Sequence, residues 1–339
     1  MSRNGRAGLF VALTLLMSTA FAKAQSLEEF YRNKSVDFYV PAATGGGFDA
    51  YARAMSPYLR KHMPGQPNIN IVNMPGAGGI AMLRKMYDTS AKDGTVLAIL
   101  NRVALTLSKL DPGKVGLDLK KLEFIGSMSS EIGACYAWSP AGVKSLDAFK
   151  TRKVVFADTS IGGIGYVYSS ILGSLFNGNV GHVLGYLNSS DAWLAMEKGE
   201  AEANCNGWYS VVVQRPDWIT QKKIDVLLQF GEKPLPGLEH VPLVWNMPMS
   251  EDHRRAIAFL TRSDEVARVV IAPPGTPADR TAAWREAMTR TVADPEFIEF
   301  AHRSKIEIDF VNGEGVRKIV EEVLDTPASA LALATKIMQ

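Results

Sequence analysis

Two hydrophobic periodicities alternate along most of this chain. Short apolar or alternating runs such as Val36-Asp37-Phe38-Tyr39-Val40, Ile69–Val72, Thr95–Leu100, Phe124–Met128 and Val154–Ala157 have the two-residue repeat or the fully apolar character of strands. Several lead through a glycine-rich or polar turn into a segment with helical spacing. Tyr51, Ala54, Met55, Tyr58, Leu59 and His62 share one helical face; so do Ile80, Leu83 and Tyr87, and later Tyr168, Ile171, Leu172 and Leu175. Further strands are expected at Gly133–Trp138, Val183–Tyr186, Ala201–Asn204, Ile224–Phe230, Val269–Ala272 and Ile306–Phe310, and a helix capped by Thr276 with Pro277 in its first turn. Repeated strand–turn–helix units predict an α/β fold, with mixed sheets flanked by helices.

Three of the turns carry candidate chemistry. They are Thr44-Gly45-Gly46-Gly47-Phe48, with Asp49 placed to cap the next helix; Asn73-Met74-Pro75-Gly76-Ala77-Gly78-Gly79; and Thr159-Ser160-Ile161-Gly162-Gly163. Glycines let backbone approach a ligand, and the free N–H groups and dipole at a helix start favour an anion without any basic side chain. Each turn taken singly is also consistent with a tight turn and nothing more. Ligands of open α/β sheets gather at the carboxyl ends of strands, so three such turns point to one converging site.

These turns, Lys92-Asp93-Gly94-Thr95 and Ala272-Pro273-Pro274-Gly275-Thr276-Pro277 together resemble the extracytoplasmic solute receptors of tripartite tricarboxylate transporters, the Bug family, in order from about Ser35 to the C-terminus. The resemblance implies a two-lobed periplasmic binding protein of the type II kind, with ligand in the cleft. Lobe 1 would comprise residues 25–126 and 248–339, and lobe 2 residues 127–247. It also implies a non-enzyme that closes over a small carboxylate, di- or tricarboxylic or aromatic, and delivers it to transporter membrane subunits. Phe48 departs from the family pattern, where a small hydroxyl residue is usual, and favours a ligand with an apolar or aromatic body.

Composition and charge narrow the field. The chain has 339 residues, 47% hydrophobic, enough for about two domains. Arg3 and Arg6 precede an apolar run from Gly8 to Ala22, and Ala22-Lys23-Ala24 fits a cleavage site, so residues 1–24 read as a secretory signal peptide and the mature protein as periplasmic, starting near Gln25. Losing Arg3, Arg6 and Lys23 takes the formal charge from +2 to −1. That leaves no basic footprint for nucleic acid, and a soluble monomer is expected. Cys135 and Cys205, the only cysteines, exclude a cysteine-rich metal site and could join in an oxidising compartment or stay as two small buried residues. No cofactor or metal is expected.

Other polar residues have two readings. Asn101 and Arg102 follow a strand end, where a guanidinium could grip a carboxylate, although Arg102 also fits a solvated loop. Tyr186 closes a strand, Asp191 could face ligand or simply cap a helix, and Asn206 follows a short strand where it could face a cleft. Trp193, Trp218 and Trp245 read as packing. Two alternatives to transport remain: a receptor serving a membrane sensor kinase, and a periplasmic hydrolase or lyase using His182 or Asp191 as base. The enzyme reading lacks a Gly-x-Ser-x-Gly elbow, a His-Glu-x-x-His motif and a phosphate loop.

Overall fold

The computed structural model describes residues 26–339 apart from positions 43, 46, 160, 162, 187 and 188. The signal peptide, Gln25, Gly46, Ser160 and Gly162 therefore lie outside the described residues, and nothing is said of the side-chain position at 78.

Two sheets organise the chain. The first runs β11-β4-β10-β3-β1-β2, built from β1 (Ser35–Val40), β2 (Asn68–Asn73), β3 (Val96–Leu100), β4 (Glu123–Ser127), β10 (Val269–Ala272) and β11 (Val311–Asn312). The second runs β7-β6-β8-β5-β9, from β5 (Gly133–Trp138), β6 (Val154–Asp158), β7 (Val180–Leu184), β8 (Ala203–Gly207) and β9 (Ile224–Gln229). Both sheets are mixed. β1 pairs in parallel with β2 and β3, whereas β10 lies antiparallel between β3 and β4; β5 likewise lies antiparallel between β8 and β9. β3 and β10 are buried at every position, which is why their sequences, Val-Leu-Ala-Ile-Leu and Val-Val-Ile-Ala, lack alternation.

Helices cover the faces. On the first sheet, Met55 and Leu59 from the Gly47–His62 helix meet Trp284 and Met288 from the Ala278–Ala293 helix over Phe38 and Ile99. In the second lobe Tyr136, Trp193 and Trp218 are fully buried and meet edge-on, and the Trp193 Nε1–H donates to the Tyr136 hydroxyl at 2.7 Å. Those tryptophans are packing elements, as expected. The chain crosses between the sheets at 128–132 and returns through 230–268.

Cys135 and Cys205 are bonded, and they face each other in register on β5 and β8. Four boundaries differ from expectation. β7 ends at Leu184, leaving Tyr186 in the following loop, and β8 extends to Gly207, drawing Asn206 into the strand. No strand forms at 306–310; pairing with β4 starts only at Val311, and the extended stretch before it is held by the Asp309 N–H on the Met128 carbonyl at 2.8 Å. Thr276 does not cap: its hydroxyl donates to the Pro273 carbonyl at 2.8 Å, and Pro277 occupies the cap position before Ala278.

Candidate ligand-binding cleft

The first two turns are tied together by Asn73. Its amide donates to the Ala42 carbonyl and to Asp49 Oδ1, both at 2.9 Å, while its oxygen accepts from Thr44 Oγ1 at 3.2 Å and Arg53 at 3.3 Å. Asp49 is not the helix cap. It sits in the first turn of the Gly47–His62 helix and reaches back to accept the Gly45 N–H at 2.9 Å. Hydrogen bonds from Arg53, Gly45 and Asn73 outweigh its burial and lower its carboxyl to about 2. In the second turn Gly79 has φ 88°, and a Cβ there would stand 2.7 Å from Pro41 Cβ and 3.6 Å from Asn101 Cβ. Only glycine allows this approach, which brings the two turns and the end of β3 together.

Between the lobes lies a cavity of ≈ 450 Å³. Lobe 1 contributes Phe48, from the first turn of the Gly47–His62 helix, and Asn101, Arg102, Thr106, Leu107 and Leu110 around the Val103–Leu110 helix. Lobe 2 contributes Ile164 and Val167 from the start of the Ile164–Leu175 helix. Glu131, Leu260, Asp264 and Arg268 from the crossings and Met338 from the C-terminus complete it. Three helix N-termini from both lobes thus border one hollow.

An ion network closes the floor. Arg102 pairs with Glu131 and, through Nε, with Asp264 at 2.9 Å; Arg268 meets the other oxygen of Glu131 at 2.9 Å; and the Tyr168 hydroxyl donates to Asp264 at 2.7 Å. Arg268 also lies over the rings of Phe48 and Tyr51, at 4.7 and 5.0 Å. Glu131 and Arg268 line a second hollow of ≈ 200 Å³ as well, bordered by Tyr51, Ser210 and Glu307, so this pair is a partition. Burial pushes the Asp264 carboxyl up to about 6 against the pull of Arg102, and pushes Glu307 up to about 7 with help from Asp309 and Glu131. Burial also works against the Glu131 charge, but Arg102 and then Arg268 hold its carboxyl below the ordinary value.

Arg102 is therefore not a solvated loop arginine: its side chain is 24% exposed and both its partners are carboxylates. Of the other expected residues, Thr44, Gly45, Gly47, Phe48, Asn73, Gly76, Ala77, Gly79 and Asn101 gather at the ends of β1–β3. Thr159 and Gly163 border the lobe 2 helix start, and the Thr159 carbonyl accepts the Gly185 N–H at 3.3 Å. Of the expected residues, Phe48, Asn101 and Arg102 line the cavity; Thr44, Gly45, Gly47, Asn73, Gly76, Ala77, Gly79, Thr159 and Gly163 lie outside its lining, as do Tyr186, Asp191 and Asn206. Tyr186 packs on the alanines at 157, 192, 195 and 201, Asp191 lies in the first turn of the Ser189–Glu197 helix, and Asn206 accepts the N–H of its neighbour Gly207. Glu131, Asp264 and Arg268 had no sequence signal, because they sit in connections without periodicity.

Among the described residues the hydrolase alternative finds no relay at His182. His182 Nδ1 is 2.8 Å from Asp158 Oδ2, and the Ser169 hydroxyl is 3.4 Å from the same nitrogen. A base needs its carboxylate and its nucleophile on opposite ring nitrogens. Among the described residues no cluster of His, Cys, Asp or Glu could hold a metal ion, and no helix is long and apolar enough to cross a membrane.

Known structures supply the context. A TctC solute binding protein from Polaromonas, solved with no ligand, superimposes with a TM-score of 0.72 over 90% of this chain and 99% of its own, at 18% identity. The fold is that of the TctC and Bug proteins. The periplasmic binding protein BugD shares it with a TM-score of 0.59 at 19% identity, covering 91% of this chain and 98% of its own. MatC from Rhodopseudomonas palustris, solved with bound malate, aligns with a TM-score of 0.55 at 17% identity over 90% of this chain and 99% of its own. No protein-family model and no curated protein sequence matches the chain. The TctC and Bug fold is two-lobed, and the cavity above lies between its lobes.

Proposed function

We propose that this protein is an extracytoplasmic solute receptor that captures a small carboxylate by lobe closure and delivers it to membrane subunits of a tripartite tricarboxylate-type transporter. The observation that carries the reading is the cavity bordered by helix starts from both lobes: each start offers N–H groups and partial positive charge to an anion, and closure would bring them together. Malate bound to a protein of the same fold supports a carboxylate as ligand. In this reading residues 25–126 with 248–339 move against 127–247, and the segment before Gln25 directs export to the periplasm. The turns Thr44–Phe48, Asn73–Gly79 and Thr159–Gly163 supply donors, while Arg102, engaged by Glu131 and Asp264, helps hold the cleft in shape.

A thermal-shift series tests it. Carboxylates that bind only the folded protein raise its melting temperature, and their neutral amides do not. Ala77→Asp, at an exposed position with φ 46° that aspartate tolerates, puts a fixed negative charge where ligand is expected and should abolish the shift while leaving the unliganded melting point close to the parent's. A shift of equal size in this variant would move the site elsewhere.

A further inference from the structure

We infer that the cleft selects a monocarboxylic acid with a hydrocarbon body, aryl or alkyl, over a hydroxylated dicarboxylate. This rests on the carboxylate-receptor reading and narrows its ligand.

The first support is charge. Both guanidinium groups in the cavity, Arg102 and Arg268, already meet carboxylates, and the carboxylates of Glu131 and Asp264 line the same space. One ligand carboxylate can be held by backbone donors at a helix start. A second one, at the far end of a short diacid, would be brought against Glu131 and Asp264, whose charges already match those of Arg102 and Arg268. The Arg268 Nε–H, buried without an acceptor, offers it a single donor but no further positive charge, and an unmatched buried charge is costly.

The second support is the wall. Leu107 and Leu110 are three residues apart on one helix, and Ile164 and Val167 are three apart on a helix of the other lobe, so each pair shares a face. Both pairs, with Leu260 and Met338, line the cavity. Leu110 is 43% exposed, an apolar side chain at the cavity that lacks cover. Hydroxyl groups of a ligand would be desolvated against these side chains without partners, whereas a ring or alkyl chain would cover them. Phe48 adds a ring at the same wall, beneath Arg268.

Calorimetry on the mature chain with benzoate, butanoate, pentanoate, hexanoate, malate and benzyl alcohol tests this. Benzoate and hexanoate are expected to bind at least about tenfold more tightly than malate, with affinity rising roughly fourfold per methylene from butanoate to hexanoate. Leu110→Ser, at a half-exposed position, should weaken benzoate several-fold while its unfolding temperature stays near the parent's. Malate bound as tightly as benzoate and hexanoate would overturn the inference and leave the carboxylate receptor standing, as would a flat alkyl series or an unchanged benzoate affinity in Leu110→Ser. Benzyl alcohol bound as tightly as benzoate, or no acid bound at all, would instead bring down the carboxylate reading, and the inference with it.

Discussion

Asn73 shows how much one side chain can fix. Its four hydrogen bonds join two turns, and Asp49 depends on it for one of its oxygens. Asn73→Ala leaves Asp49 and the Ala42 carbonyl short of a donor and should cost about 1–3 kcal/mol, measurable by denaturant unfolding. Asp264 governs a different property. Its folded-state value of about 6 lies above that of an unfolded aspartate, near 4, so its contribution to stability is fully present below about pH 4 and is lost as the pH rises through about 6. Asp264→Asn removes this group's share of that loss. Unfolding free energy should then fall less between pH 4 and 6 than in the parent, with the remaining decline toward pH 7 assigned to Glu307. An unchanged pH profile would show that Asp264 titrates normally.

At the scale of elements, β1, β2, β6 and the turns after them were legible because pattern and turn chemistry are local: an apolar strand, glycines, then helical spacing. The ion network was not. Glu131 belongs to one crossing and Asp264 and Arg268 to the other, and they meet Arg102 only because both crossings pass the end of β3. The run at 306–310 misled for a related reason, since alternation is local but pairing needs a partner, and on this side β4 pairs only with Val311 and Asn312, just past the run. The cysteines could be assigned to strands, but their adjacency depends on β5 returning between β8 and β9. That bond closes a sequence separation of 70 residues, so its removal by a Cys135→Ala, Cys205→Ala double substitution should cost about 4 kcal/mol, most of it through the unfolded chain. With Cys135 0% and Cys205 1% exposed, a reductant should lower the melting temperature only when applied under unfolding conditions. Rapid reduction of the native protein would contradict this burial.

For the whole molecule, the two lobes share the cavity, two crossings that hold the Glu131–Arg268 partition, and a contact of the C-terminal segment with the Ile164–Leu175 helix, where the Tyr166 hydroxyl donates to the Met338 carbonyl at 3.3 Å. If closure accompanies binding, small-angle scattering with a saturating carboxylate should show a smaller radius of gyration than the free protein, and Ala77→Asp should show no contraction. An unchanged radius with bound ligand would mean that the cleft is already closed.

The position of β10 bears on the order of assembly. It fills the centre of the first sheet, antiparallel between β3 and β4, yet it follows the entire second lobe in the chain. Until residues 269–272 are available, β3 and β4 each present an open edge to solvent, and the earliest segment made is among the last to be finished. If the proposed export holds, a chain threaded across a membrane from its N-terminus cannot lock its first sheet before most of it has passed, and the interval with exposed edges is when chaperones would be needed.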